Sequence, residues 1–185
     1  ITLHDCPECA GEKPGAPGTP ISILSVNLKR GFSPNEPPNP KRVFKMVKIL
    51  ITGDLCPIGR NLSAFRKGDI GNLYRDLLPV FKNSDYSVAT LECPLIRSKT
   101  PIEKVGPVLG APEETVAGIR GAGIDALNLA NNHILDHGIA GLKNTMEICR
   151  KNGIVYFGAG RNLAEARNIL VREIGGIRVG LLGMG

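Results

Sequence analysis

Ala126-Leu127-Asn128-Leu129-Ala130-Asn131-Asn132-His133-Ile134-Leu135-Asp136-His137-Gly138 is the stretch that decides how this chain folds. Its first half alternates apolar residues over the length of a short strand. It then breaks into two amides, two imidazoles and a carboxylate, and two of the chain's three histidines fall inside it. In α/β proteins the loops that leave the carboxyl ends of strands face a shared crevice. A polar cluster at such a point suits a metal-assisted hydrolytic centre.

Working outward, the flanking segments alternate between strand and helix patterns. Val47-Lys48-Ile49-Leu50-Ile51-Thr52-Gly53 is a short, β-branched apolar run closed by glycine, and it leads into Asp54. That is the pattern of a buried strand. Asp69 is placed to cap a helix over 70–82 with Leu73, Leu77, Val80 and Phe81 on one face. Pro79 is expected to end or kink it. Tyr86–Leu91 reads as a second strand ending at Glu92, and 93–111 as a long loop. Ala111-Pro112-Glu113-Glu114 opens a helix with Val116, Ile119 and Ala122 inward and Gly121 and Gly123 as its stop. Beyond the quoted stretch come a helix over Ile139–Lys151, stopped by Asn152-Gly153, a strand over Ile154–Phe157 and a short helix over Leu163–Arg167. Strands over 168–174 and 177–182 turn about Gly175-Gly176, a hairpin signal. The alternation predicts an α/β fold with a largely parallel sheet covered by helices.

The 185 residues suffice for one domain with a substantial core, and 42% hydrophobic with 22% charged residues is an ordinary globular composition. The net charge of +6 favours anionic partners such as phosphoesters or polyacids. Basic residues are scattered and few aromatics lie among them, so no nucleic-acid partner is expected. No apolar run reaches the roughly 18 residues that span a bilayer, and no signal-peptide pattern opens the chain. Five irregularly spaced cysteines argue against a secreted disulfide framework and favour a reducing, cytoplasmic setting. A chain that opens on Ile1 still leaves room for membrane association through segments outside it.

Residues 1–45 hold eight of the fourteen prolines and read as a disordered Pro/Gly-rich leader or linker, with 46–185 as the folded portion and Met46 a plausible natural start. Cys6-Pro7-Glu8-Cys9 lacks a second pair, and with only His4 nearby it falls short of a structural zinc site.

Three polar groups thus end three successive strands: Asp54, Glu92, and Asn131-Asn132-His133 with Asp136. Hard divalent cations prefer carboxylate and amide oxygens, while imidazole suits zinc, iron or manganese. A two-metal centre needs such donors converging on one sheet edge. Each group has a local alternative, Asp54 as a turn or cap residue, Glu92 as a loop charge, and Asn131 and Asn132 as turn formers. Their coincidence at strand ends favours one shared site. Gly158-Ala159-Gly160 lacks the third glycine and the acidic partner of a dinucleotide fingerprint, so it reads as a tight turn with Asn162 capping the next helix. Cys56 and Cys93 flank the proposed ligands and are open to roles as soft ligands, as a redox pair or, preferred, as packing.

With these residues in view, Met46 to Gly185 resembles the bacterial capsule-synthesis (CapA-type, poly-gamma-glutamate biosynthesis) family, related to the calcineurin-like metallophosphoesterases. The likeness runs through Gly53-Asp54, Leu91-Glu92, Leu129–Gly138, Gly158–Ala166 and Gly176–Gly183. The resemblance implies a metallophosphoesterase-like sandwich of two sheets flanked by helices, with two divalent metal ions at the strand ends. Manganese, iron, zinc and magnesium are all compatible. It implies Asp54 on one metal, Glu92 between the two and Asn132 on the second, with Asn131 and His137 in the donor set. His133 would meet the substrate phosphate or act as general acid, and Asp136 would orient it. The activity implied is metal-dependent hydrolysis of an anionic substrate, a phosphoester or polyglutamate. The alternative is a non-enzymatic polymer-binding or assembly component. Thr90 stands where the family usually carries asparagine. No histidine follows His137 and no aspartate follows Asp136, whereas family members carry later histidine ligands. The chain is therefore expected to be the N-terminal, C-terminally truncated portion of a domain whose remainder supplies further ligands.

Overall fold

The alternation of the strands sorts their side chains between two faces, and each face meets a different layer. The structure is a computed structural model and describes residues 23–24 and 47–185. In chain order its strands are β1 (Ile23–Leu24), β2 (Ile49–Leu55), β3 (Tyr86–Leu91), β4 (Leu95–Ile96), β5 (Ala111–Pro112), β6 (Ala126–Asn128), β7 (Val155–Phe157), β8 (Leu170–Ile174) and β9 (Ile177–Leu181). The helices are α1 (Leu62–Lys67), α2 (Ile70–Tyr74), α3 (Leu78–Lys82), α4 (Val116–Gly121), α5 (Gly138–Lys151) and α6 (Leu163–Ala166). Five strands form the central sheet in the order β1-β2-β3-β6-β7, parallel throughout except for β1.

Leu50, Ala89, Leu91, Leu127 and Leu129 turn to one face and pack with Phe65, Tyr74, Ile119, Met146 and Ile148 of the helices. Ile49, Val88, Ala126 and Phe157 turn to the other and meet Ile174, Ile177, Val179, Leu170 and Leu181 of the β8–β9 hairpin. The fold is α/β, with a largely parallel central sheet covered by helices on one face and a hairpin on the other, consistent with a metallophosphoesterase-like sandwich. Each large apolar side chain buried this way stabilises by about 1.5–3 kcal/mol. Leu91, Leu127 and Leu129 are wholly buried at or beside strand ends, so they fix the segments that carry the polar residues.

Local chemistry explains where elements depart from the sequence reading. The helix expected over 70–82 is broken: α2 ends at Tyr74, a 3-10 turn covers Arg75–Leu77, and α3 begins at Leu78. Asp69 caps α2 as expected, accepting from the Asn72 N–H at 3.2 Å. Arg75 takes a positive φ of 43°, which no continuous helix allows. Pro79 falls in the first turn of α3, where a missing N–H costs nothing. The break seats Tyr74 between Phe65 and Phe81, edge-on to both at 6.3 and 5.6 Å. Helix α1 had no clear periodic signal. Within 93–111 the chain is mostly irregular, but β4 and β5 pair in parallel across it. Gly175 and Gly176 both take positive φ, as a tight hairpin turn demands.

The reading of 1–45 as a leader, including Cys6 and Cys9, lies outside the described residues except for β1. Among the described residues no helix is long and apolar enough to cross a membrane.

Candidate functional site

The carboxyl ends of β2, β3 and β6 lie side by side, and the residues that leave them are drawn together by backbone and amide hydrogen bonds. On β2 the register slips by one residue between Ile51, opposite Val88, and Asp54, opposite Thr90. Such a bulge re-aims the end of a strand, and it leaves the Asp54 side chain exposed. Glu92 follows β3 directly, its N–H donating to Leu55 O at 3.0 Å, so both carboxylates stand at adjacent strand ends. Asn131 ties the third strand end to the second: its Nδ2–H donates to Leu91 O at 2.8 Å, and its Oδ1 accepts from the His133 N–H at 2.9 Å. The turn so formed carries His133 toward Glu92, with Nε2 at 3.9 Å from Oε1.

Asp136 is the fixed point behind His133. Its carboxylate is 1% exposed and accepts from Lys104 Nζ on Oδ1 at 2.7 Å, and on Oδ2 from the Leu109 N–H and from His133 Nδ1, each at 2.7 Å. An ionised carboxylate only accepts, so the His133 proton sits on Nδ1 and Nε2 is left facing the acids. Burial pushes the Asp136 carboxyl up, but the Leu109 N–H, Lys104 and His133 outweigh it and the net shift is downward. Glu92 is shifted the other way. Burial raises it first, the Asp54 carboxylate adds to that, and His133 only partly opposes them. Two acids crowded at one sheet edge without a fixed cation make a place where a divalent ion would be favoured.

The remaining candidates are placed unequally. Asn132 is exposed, beside the cluster, with its carboxamide available to a ligand. Asn131 has both side-chain atoms engaged in holding the loop. His137 is buried under the 97–110 segment, where Nδ1 accepts from the Thr100 N–H at 2.9 Å. A Cβ at Gly110 would come within 2.5 Å of its Nε2. Burial, above all, holds this imidazole below its ordinary pKa, and Lys99 adds to the effect. The structure therefore brings Asp54, Glu92, His133 and Asp136 together, with Asn132 alongside, and sets His137 into packing. Among the described residues no three His, Cys, Asp or Glu side chains are already gathered at coordination distances. The donors present suit one side of a cation site, and Asn132 would be its amide oxygen.

Thr90 accepts from Asn128 Nδ2 at 3.4 Å, and Asn128 Oδ1 accepts from the Ala130 N–H at 3.1 Å. A Cβ at Gly158 would lie 2.7 Å from that same Oδ1, so the Gly-x-Gly serves a close approach of chains in which Asn162 caps α6. Cys93 is buried in the helix-side core and Cys56 packs against it; the proximity of the two thiols lowers Cys56, and that proximity together with burial pushes Cys93 far up. Lys104, Thr100 and the Leu109 N–H were not legible beforehand. Their segment has no periodicity, and its only signal was its length.

Residues 48–185 match the profile of the family described as bacterial capsule synthesis protein PGA_cap. The capsule biosynthesis protein CapA of Bacillus anthracis is 39% identical over 114 residues, which is 60% of this chain and 28% of that protein. The PGA biosynthesis protein CapA of Bacillus subtilis (strain 168) is 28% identical over 114 residues, 60% of this chain and 30% of its own length. The chain thus spans less than a third of the length of these relatives over the matched region.

Proposed function

The chain belongs to the bacterial capsule synthesis protein family, and from that membership we propose that it forms part of a metal-dependent hydrolase of the metallophosphoesterase type, acting on an anionic substrate in capsule or polyglutamate metabolism. The observation that carries this reading is the meeting of two strand-end acids with an imidazole whose far nitrogen is already committed. Asp54 and Glu92 would hold divalent cations with Asn132. Ions bound there would polarise a phosphoester oxygen and acidify water. His133, with Nδ1–H held by Asp136, directs Nε2 to the substrate side; in the imidazolium form, with a second proton on Nε2, that proton would pass to a leaving oxygen. The net charge of +6 supports an anionic substrate, and it equally supports the second reading of a non-enzymatic polymer-binding or assembly component.

Metal analysis and phosphodiesterase assays with and without manganese, on the longer protein that contains this chain, separate the two. Asp54→Asn is expected to lower metal content and turnover together, and His133→Ala to lower turnover alone by about 100-fold or more. Unchanged metal content and turnover in both variants would remove the enzyme reading. Polyglutamate binding that weakens with salt and needs no metal would favour the second.

A further inference from the structure

We propose that Lys104 is a positioning residue: its ammonium latches the 100–109 segment onto Asp136 and thereby fixes the His133 ring for its task. The inference rests on the reading of His133 as the group that meets the leaving oxygen, and it adds a residue to that site.

Five hydrogen bonds join this segment to just two residues of the quoted stretch. Thr100 donates its N–H to His137 Nδ1 and its hydroxyl to His137 O, each at 2.9 Å. The Ile102 N–H donates to Asp136 O at 3.0 Å, and the Leu109 N–H to Asp136 Oδ2 at 2.7 Å. Lys104 supplies the fifth, to Oδ1 at 2.7 Å, and its Nζ also stands 3.5 Å from His133 Nδ1. Between these anchors the segment has no helix or strand, and Val105 at its tip is fully exposed. Beyond these anchors, Leu109 packs against the helix-side core.

The charges give the geometry its sense. Asp136 is almost wholly removed from water, and a buried carboxylate needs both a counter-charge and filled lone pairs. Lys104 is the cation on the oxygen that His133 does not use. With Oδ1 held by Lys104 and Oδ2 by the Leu109 N–H, the carboxylate plane cannot rotate, and the imidazole it binds keeps one orientation. Remove the ammonium, and Oδ1 has no partner among the described residues. The carboxylate would then turn toward water and carry the ring with it. A lysine on an irregular segment, and not on the rigid sheet, makes the orientation of His133 depend on whether the segment is docked.

The test uses the longer protein throughout, metal-loaded where turnover is measured. In Lys104→Met the Leu109 and Ile102 amides are expected to exchange about tenfold faster or more, as befits loss of a charged hydrogen bond. The low-field proton signal of His133 Nδ1–H should shift or vanish. In the longer protein kcat should fall about 10–100-fold, the range for partners behind a site residue, with KM little changed. Lys104→Arg should restore amide protection, proton signal and kcat, because it keeps the cation; Lys104→Gln, which keeps an N–H donor but not the charge, should not. If Lys104→Met leaves exchange and proton signal as in the unaltered chain, or if Lys104→Gln matches the Arg variant, the proposal is overturned. If the unaltered protein shows no turnover at all, the hydrolase reading falls, and the latch is still decided by exchange and the proton signal.

Discussion

The two sides of the candidate site differ in how completely their charges are met. Asp136 has every oxygen engaged, sits out of water and is held below the ordinary carboxylate range. Glu92, a few ångströms away across His133, is raised by burial and by the nearby Asp54 carboxylate. One side is a finished network that persists by itself. The other is a pair of acids whose mutual repulsion a bound cation would relieve. Such a division would suit the proposed general acid beside the proposed ligand site: the residue proposed to hold its orientation is satisfied by protein, and the residues proposed to bind are left unsatisfied.

Mutations that exchange the two conditions measure the contrast. Asp136→Ala should have the largest effect, about 3–5 kcal/mol of stability by denaturant unfolding, because it strands Lys104 and the Leu109 N–H around an empty centre. An effect under about 1 kcal/mol would mean that the network is no more than a surface ion pair. Gly110→Ala comes next. Its Cβ would run into the buried His137 ring, and a cost of about 1–3 kcal/mol in the same measurement is expected if the 97–110 segment is packed as firmly as its hydrogen bonds imply.

Acid should act on the satisfied side in two windows. His137 is depressed below its ordinary 6.5, so the unfolded chain takes up the proton first and stability falls as pH drops below about 6.5. Asp136 is also depressed, so its contribution is present above the ordinary aspartate range and disappears as pH falls below about 4, through its folded value. Urea midpoints between pH 8 and pH 3 check both, and Asp136→Asn should shrink the lower window and leave the upper one in place, with the depressed Glu147 and Glu165 supplying what remains. The smallest effect has the opposite sign. Glu92→Gln removes a carboxylate whose ionisation the fold disfavours, and should raise stability at neutral pH by less than about 1 kcal/mol in metal-free buffer. A loss of stability there would mean that Glu92 is already compensated, and the contrast would fail.

How far the site was legible depends on how local its causes are. Asp54, Glu92 and the Asn131–Asp136 group announced themselves because each ends an apolar run, and parallel neighbours bring such ends together. The internal division of labour was not legible. Asn131 and Asn132 are identical in type and adjacent, yet one is consumed in tying β6 to Leu91 O and the other is exposed. His133 and His137 lie four residues apart in the turn before α5, and that spacing sends the second under Gly110. The helix over 70–82 was misread because Arg75 adopts a positive φ that serves the seating of Tyr74, a demand made by Phe65 and Phe81 from elsewhere in the chain.

The sequence by itself determined the α/β class, the succession along the chain of the strands that carry polar ends, the hairpin at Gly175-Gly176 and the caps at Asp69 and Asn162. These follow from periodicity and from backbone chemistry confined to a few residues. The tertiary structure alone decided which polar groups are satisfied and which are free, and that an irregular segment would deliver Lys104 to Asp136, 32 positions away. Whether a charge is met depends on which distant donors the fold brings within hydrogen-bond reach, and no local pattern encodes that distance.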